Sequence, residues 1–133
     1  MVHRTIDYSY VGFYSEQAIA YFKNFHSKEK IIEDAANGAI VILFDDSRSI
    51  GTGTLLGPEI RRVFVFKEFQ GRGFGKRIMD YLEKIALEKG VKKITLCSSL
   101  ASKAFYDHIG YVTLRKKPYL SKRRKRTWLL RYV

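Results

Sequence analysis

The chain has 133 residues, which is long enough for one domain with its own core and too short for two. Apolar residues make up 46% of the chain and aromatic residues 14%, which excludes a disordered protein. The net charge of +12 is concentrated near the end, because residues 110–133 hold nine Lys and Arg and no acid, while residues 1–109 hold 16 basic and 13 acidic residues.

The first part of the chain predicts one strand and two helices. Residues 4–10 can form the strand, and apolar side chains at helical spacing predict a helix that starts at Ser15. Ser27 can cap a second helix, which Asn37 and Gly38 would end. This second helix would carry the apolar residues Ile31, Ile32, Ala35 and Ala36.

A three-stranded meander is predicted next. Residues 39–44 are uniformly apolar and predict a buried strand. The polar residues 45–48 supply a turn, after which residues 49–56 return as a second strand. Gly57 and Pro58 supply another turn, and residues 60–66 predict the third strand.

Residues 75–89 predict the clearest helix of the chain. Asp80 and Lys84 are spaced for an ion pair on its outer face, and Gly90 is placed to cap its end. One face carries the apolar side chains of Ile78, Met79, Leu82, Ile85 and Ala86.

The remaining elements are a strand at 91–97, a short helix at 100–108 and strands at 111–116 and 127–133. The full order is therefore β-α-α-β-β-β-α-β-α-β-β. This order predicts an α/β protein with a mixed sheet and helices on both faces. We expect one domain over residues 1–133, with a basic segment at 111–133.

A glycine-rich stretch joins the third meander strand to the long helix. Gly71, Gly73 and Gly75 follow the strand and open the helix, so backbone N–H groups without helical partners would converge there. Such a turn suits a phosphate-bearing ligand, and Arg72, Lys76 and Arg77 add positive charge. The spacing matches neither a dinucleotide fingerprint nor a P-loop, because Arg77 stands where a P-loop has Ser or Thr.

This segment and residues 102–111 resemble the GNAT superfamily of acetyl-CoA-dependent N-acetyltransferases. Gln70, Gly73 and Gly75 match the family's cofactor loop, and Tyr106 lies in a Phe-Tyr-x-x-x-Gly-Tyr pattern. The resemblance implies a GNAT-like fold and acetyl-CoA as co-substrate, with the pyrophosphate on backbone amides of the loop. The cofactor-binding residues that it implies are Phe64, Val65, Gln70, Gly71, Arg72, Gly73, Phe74, Gly75, Lys76 and Ser99.

Two catalytic residues are implied by the same resemblance. Tyr106 would protonate the departing thiolate of coenzyme A, a role that suits a phenol with a pKa near 10. On the short helix, Phe105 and Ile109 share a face that would pack inward. Tyr106 lies about 100° round the helix from Phe105, so its side chain could face a cleft. Glu59 would act as general base for the amine. Ser99 stands where many relatives have an asparagine that contacts the pantetheine arm.

Several features leave alternatives open. The basic run at 122–126 can be a hairpin tip, or it can make the protein an acyl-CoA-binding adaptor for nucleic acid or an acidic protein. His3, His26, His108 and Cys97 show no ligand spacing, which predicts no metal site. We expect acetyl-CoA and an amine-bearing small molecule or protein as partners, rather than nucleic acid, with the protein a monomer or homodimer.

The N-terminal aromatic side chains can contact the acceptor or belong to the core. They are Tyr8, Tyr10, Phe13, Tyr14, Tyr21, Phe22 and Phe25.

Location can be predicted from what the chain lacks. Its longest apolar run, residues 39–44, is too short to span a membrane, and the first five residues lack the apolar core of a secretion signal. Cys97 is the single cysteine, so no internal disulfide can form. We therefore expect a cytoplasmic protein with no membrane association.

Overall fold

A computed structural model describes residue 23 and residues 27–99, 101–114 and 126–132; for residues 126–128 and 132 it describes the backbone alone. In chain order the elements are α1 (Lys28–Asn37), β1 (Ala39–Asp45), β2 (Arg48–Leu56), β3 (Glu59–Val65), a 3₁₀ turn (Lys67–Phe69), α2 (Phe74–Glu88), β4 (Lys93–Ser99), α3 (Lys103–His108), β5 (Val112–Thr113) and β6 (Arg126–Tyr132). This is the predicted order over the described ranges.

Within the described ranges, six strands form one mixed sheet in the order β1-β2-β3-β4-β6-β5. All neighbours are antiparallel except β3 and β4, which are parallel and pair only at Glu59 with Thr95 and at Ile60 with Leu96. The sheet therefore consists of two antiparallel halves that touch at the beginning of β3. Beyond Ile60 the described strands β3 and β4 share no further pairs, so a gap lies between them.

Helix α2 packs on one face of the sheet and builds the core there. Gly51 and Gly53 of β2 leave room for it, since a Cβ at either position would come within 3 Å of Ile78 or Leu82. The predicted apolar face is confirmed, with Ile78, Met79, Leu82 and Ala86 buried and Ile85 packed against them. The strands contribute Leu55, Ile60, Val65, Ile94, Leu96 and Leu129 to the same core.

Helix α1 lies on the opposite face. Its buried residue Asp34 accepts hydrogen bonds from the guanidinium groups of Arg61 and Arg62 on β3. Arg61 follows Ile60, which packs under α2, and neighbouring side chains of a strand alternate between faces. The predicted helices on both faces are thus confirmed. Arg62 sits in a β-bulge opposite Gly53 with a φ of 55°, which turns two successive arginines toward α1.

The predicted helix ends of α1 and α2 are also confirmed. Ser27 caps α1 by accepting a hydrogen bond from the N–H of Lys30. At the end of α2, Gly90 has a φ of 80°, and the N–H groups of Gly90 and Val91 reach the carbonyls of Leu87 and Ala86. This Schellman arrangement requires a residue that tolerates positive φ, which explains the glycine.

Several expectations about the elements are wrong in detail. Residues 39–44 are not buried, because β1 pairs only with β2 in the described sheet, and Ile42 and Phe44 are 53% and 57% exposed. On α1, Ile32 is exposed and the buried residue is Asp34. Asp80 pairs with Lys76 one turn before it, rather than with Lys84. Strand β4 begins and ends two residues later than predicted, which makes Ser99 its last residue.

Some predictions concern residues outside the described ranges. These are the strand at 4–10, the helix from Ser15, the N-terminal aromatics, His3, His26 and the basic run up to residue 125. No helix in the described ranges is long and apolar enough to cross a membrane. Among the same residues, no three His, Cys, Asp or Glu side chains are grouped as metal ligands would be.

Candidate cofactor and active site

The glycine loop between β3 and α2 adopts the conformation for which its glycines are needed. Gly71 and Gly73 have φ values of 76° and 84°, and Gly73 is the N-cap of α2 in a left-handed conformation. A Cβ at either position would meet no atom within 4 Å. These two glycines therefore serve the backbone path, and open space lies beside them.

The loop presents a row of backbone donors to that space. Within the described residues, the N–H groups of residues 71–76 have no hydrogen-bonded acceptor, and the first helical bond of α2 runs from Arg77 to the carbonyl of Gly73. The helix dipole adds partial positive charge at this end. Arg72, Lys76 and Arg77 are exposed beside it, although Lys76 also pairs with Asp80 at 2.9 Å. The loop thus brings backbone N–H groups without acceptors together with positively charged side chains, which is the kind of arrangement that binds phosphate groups.

Gly75 has a different reason to be glycine. A Cβ there would lie 3.1 Å from the Phe105 ring of α3. The close approach brings α3 against the first turn of α2. Phe74 packs on the other side, with its ring 6.3 Å from that of Phe69 in an edge-to-face contact. These contacts fix the position of the helix end that carries the free N–H groups.

Val65 directs its backbone into the gap between β3 and β4. The N–H of Phe66 donates to the carbonyl of Ile50, so the Val65–Gly51 pair is of the non-hydrogen-bonded type and the polar groups of Val65 face away from β2. The Gln70 side chain donates to the Val65 carbonyl at 2.8 Å. The Val65 N–H is left facing the gap, while the neighbouring Phe64 side chain is buried on the α1 side.

Ser99 lies across the gap, at the end of β4. It is buried, and its hydroxyl donates to the hydroxyl of Ser102 at 3.1 Å. The Ser102 carbonyl in turn accepts from the N–H of Tyr106. The structure therefore brings Ser99 and Tyr106 to the same end of the sheet as the glycine loop.

Tyr106 is more deeply buried than predicted. It is 6% exposed and belongs to the core, whereas Phe105 and Ile109 are half-buried at the core's edge. The Tyr106 ring contacts those of Phe105 and Tyr111, with centroids 5.0 and 5.9 Å away. Because Tyr111 is itself buried, α3 turns the Tyr106 side inward.

The buried Tyr111 has a clear structural task. Its hydroxyl donates to Glu83 of α2 at 2.9 Å. Burial raises the pKa of Tyr111 well above 10, and the negative charge of Glu83 raises it further. Arg131 lies 3.6 Å from the same carboxylate and donates to the Ile109 carbonyl. This network ties α2, the end of α3 and β6 together.

Glu59 is not brought to the loop. It is the first residue of β3, six residues before Val65, which corresponds to roughly 20 Å along a strand. Its carboxylate pairs with Arg61 at 2.9 Å, and Arg61 also pairs with Asp34. Burial alone would lower the pKa of Arg61, but the two carboxylates raise it above its ordinary value. Glu59 thus lies where β3 and β4 are still paired, in an ionic network with α1.

Sequence reasoning missed Arg48, which reaches the loop from the β1–β2 hairpin. Its guanidinium carbon lies 5.2 Å from the Phe69 ring centroid and 5.7 Å from that of Phe66. Its Nη2 is 3.3 Å from the Glu68 carboxylate. Arg72 lies over the same Phe69 ring at 5.6 Å. The signal in the sequence is faint, because Arg48 precedes the loop by about twenty residues and only strand register brings it there.

Comparison with known proteins gives a consistent result. Residues 10–123 match the family model of the acetyltransferase (GNAT) domain. An uncharacterized acetyltransferase from Streptococcus pyogenes is 24% identical over 89 residues, which cover 63% of this chain and 61% of that protein. The chain therefore spans about three-fifths of the length of such relatives.

Solved structures share the fold over nearly the whole chain. A GCN5-related N-acetyltransferase from Rhodopseudomonas palustris superposes with a TM-score of 0.85 at 21% identity, covering 99% of this chain and 85% of that one. The PaiA N-acetyltransferase from Thermoplasma acidophilum, solved in complex with coenzyme A, superposes with a TM-score of 0.80 at 19% identity, covering 99% and 88%.

Proposed function

The chain belongs to the GNAT acetyltransferase family, and we propose that it moves an acetyl group from acetyl-CoA to a primary amine. The observation that carries this proposal is the row of free N–H groups at residues 71–76, which stands at the mouth of the gap between β3 and β4. A phosphate-binding helix end beside a parted sheet suits a ligand that has both a pyrophosphate and an extended amide arm.

Different residues would bind different parts of acetyl-CoA. The N–H groups from Gly71 to Lys76 would hold the pyrophosphate, with Arg72 adding charge. The pantetheine arm would enter the gap along the exposed backbone edge of Val65. The coenzyme A complex of the Thermoplasma acidophilum relative, which shares the fold, supports this choice of ligand. Ser99 would face the same arm from β4.

The reaction would proceed by direct attack in a ternary complex. The uncharged amine would attack the thioester carbonyl, and the Val65 N–H, which faces the gap, would stabilise the negative charge that the carbonyl oxygen gains. As the carbon–sulfur bond breaks, Tyr106 would give its phenol proton to the departing thiolate. A thiol has a pKa near 8.5 and a phenol a pKa near 10, so this transfer is uphill by about 1.5 pKa units. The proton that the attacking amine nitrogen loses as the amide forms would then return to the phenolate and restore Tyr106. Holding both reactants together supplies much of the rate.

The proposed mechanism does not use Glu59 as the base. It lies at the paired end of β3, and its carboxylate is engaged by Arg61. An alkylammonium has a pKa near 10.4, so the amine would lose its proton to a water relay or to another side chain. Removing Glu59 from the catalytic set leaves Tyr106 as the side chain proposed to act on the reacting atoms.

Calorimetric titration with acetyl-CoA tests the proposal, with Gly73→Asp beside the wild type. The new carboxylate would occupy the anion site, and we expect binding to weaken at least about tenfold. Gly57→Asp is a matched control, since Gly57 also has positive φ and open space but lies in the β2–β3 turn. Its binding should equal that of the wild type.

The same proteins then enter an acetyl-transfer assay that follows thiol release over a panel of amines. Binding and amine-dependent release by the wild type would support the proposal. A folded wild type that binds no acetyl-CoA would overturn it. If the wild type bound acetyl-CoA but transferred no acetyl group to any amine, and bound nucleic acid in a salt-sensitive manner, the adaptor hypothesis for the basic segment would replace the proposal.

A further inference from the structure

Arg48 stands beside the glycine loop although it belongs to a different hairpin. It opens β2 directly after the turn at Asp46 and Ser47. The register that pairs Gly51 with Val65 carries this turn to the end of β3, where the loop begins. The side chain of Arg48 is therefore delivered to the rim of the loop by the antiparallel meander.

The contacts of Arg48 hold its charge in place without neutralising it fully. Its guanidinium lies near the rings of Phe66 and Phe69, an arrangement that favours a cation. Its carboxylate partner is Glu68, and the Arg48 Nη2 to Glu68 Oε1 distance of 3.3 Å is long for a charge-assisted hydrogen bond. The side chains of Arg48 and Glu68 are 53% and 42% exposed. An ion pair of this kind contributes little and is easily exchanged.

A second guanidinium shares the same aromatic ring. Arg72 lies 5.6 Å from the Phe69 centroid, so two positive charges flank one phenylalanine. Phe69 packs in turn on Phe74, the first residue of α2. Both arginines are thus anchored next to the helix end that presents its free N–H groups. Like charges held this close together favour an anion between or beside them.

We infer that Arg48 binds a phosphate group of coenzyme A and exchanges Glu68 for it when the cofactor enters. This inference rests on the proposed function. The planar fork of a guanidinium suits phosphate, and stacking on two rings leaves its N–H edges available. Coenzyme A offers two sources of phosphate, the pyrophosphate and the 3′-phosphate, and the experiment separates them.

The experiment measures the dissociation constants of acetyl-CoA and of its 3′-dephospho form by calorimetry. Arg48→Gln removes the charge and keeps a planar polar group, and we expect acetyl-CoA to bind about tenfold more weakly. Lys93→Gln is the charge-matched control, since Lys93 is exposed at the start of β4, at the other end of the sheet. Its binding should match the wild type.

The dephospho ligand identifies the phosphate. If the Arg48→Gln defect disappears with it, Arg48 binds the 3′-phosphate. If the defect persists, Arg48 binds the pyrophosphate. Either result supports the inference, whereas an Arg48→Gln protein that binds both ligands within roughly twofold of the wild type overturns it.

Glu68→Gln separates phosphate binding from a purely structural role. If Arg48 exchanges Glu68 for phosphate, loss of the carboxylate leaves acetyl-CoA binding unchanged or tighter. If the Arg48–Glu68 pair only braces the loop, Glu68→Gln weakens binding as much as Arg48→Gln does, and the inference is wrong. Thermal unfolding of each ligand-free variant checks the fold, and Arg48→Met, which keeps the apolar stem over the rings, replaces the glutamine variant if that protein does not fold.

Failure of this inference is distinguishable from failure of the proposed function. A wild type that does not bind acetyl-CoA overturns both. A wild type that binds it, together with an unaffected Arg48→Gln variant, overturns the role of Arg48 alone.

Discussion

Gly51 lies beneath α2 at a point where the sheet has no room for a side chain. A Cβ there would come 2.8 Å from Cδ1 of Ile78, 3.1 Å from the Phe64 carbonyl oxygen and 3.3 Å from Cγ2 of Val65. Carbon atoms prefer separations of about 3.5–4.0 Å, so Gly51→Ala must displace the Cδ1 end of the Ile78 side chain and crowds the part of α2 that carries it. Because the N-terminus of α2 carries the free N–H groups, acetyl-CoA binding should weaken along with stability.

The effect of Gly51→Ala on the free energy of unfolding can be estimated from these neighbouring atoms. Overpacking of this kind costs about 1–3 kcal/mol, of which the better strand propensity of alanine returns about 0.5–1 kcal/mol. Taking the middle of each range, we expect Gly51→Ala to lower the free energy of unfolding by about 1 kcal/mol. Ile78→Val removes Cδ1, the nearest atom, and alone costs about 0.5–1.5 kcal/mol.

The variant that combines Gly51→Ala with Ile78→Val tests whether contact with Cδ1 of Ile78 causes the loss of stability. The volume vacated by Cδ1 accepts the new methyl group, so the double variant should be about 1 kcal/mol more stable than the sum of the single changes predicts. The Phe64 carbonyl prevents complete recovery, since backbone cannot retreat as a side chain can. Ile85→Val on the same helix is the matched control, because Ile85 is not among the atoms nearest to Gly51.

Urea unfolding followed by circular dichroism gives the free energies, with equal m-values required for all variants. Additivity of Gly51→Ala and Ile78→Val within about 0.5 kcal/mol would refute the packing argument. Coupling of the same size between Gly51→Ala and Ile85→Val would also refute it, since the effect would then be general to α2.

Three further predictions concern the site and its supports. Tyr106→Phe keeps the ring and should lower kcat about 100-fold while the dissociation constant of acetyl-CoA stays within about twofold; unchanged kcat would remove Tyr106 from the mechanism. Glu59→Gln should lower the free energy of unfolding by about 1 kcal/mol, through its pair with Arg61, and leave kcat/KM within about twofold, whereas a large loss of turnover would restore Glu59 as the base. The pKa of Tyr111 is raised in the folded state, so its contribution is present below about pH 10 and is lost as the unfolded phenol ionises above it. Urea unfolding should therefore show the stability gap between wild type and Tyr111→Phe narrowing above about pH 10, and a constant gap would contradict the assignment.

Local features of the chain could be predicted from the sequence. Ser27 as a cap, Gly90 as a helix end and the apolar face of α2 follow from interactions within a few residues, and the structure confirms all three. The glycine loop was predictable for the same reason. The loop requires positive φ at two positions, and glycine, which tolerates positive φ, stands at both, Gly71 and Gly73.

Features that depend on tertiary packing, or on a choice between equivalent partners, could not be predicted. Tyr106 is buried because Tyr111 and Phe105 surround it, and Glu59 is drawn into a network with α1. Asp80 had two lysines one turn away and pairs with the earlier one. Arg48 reaches the loop only through strand register, which spacing along the chain does not reveal.

Because β3 and β4 share only two residue pairs, the resistance of the sheet to local opening differs from one strand pair to another. The antiparallel halves are each held by long ladders, such as the seven residue pairs between β4 and β6, while two residue pairs hold the halves to one another. Local opening should begin at this joint. The amides that face it are those of Ile60 and Thr95, of which Thr95 donates to the Pro58 carbonyl, and they should exchange with solvent faster than those in the middle of the β4–β6 ladder. Any molecule that hydrogen-bonds to both β3 and β4 beside this joint would hold the two halves of the sheet together. Its binding would then be detected directly as slower exchange at these amides.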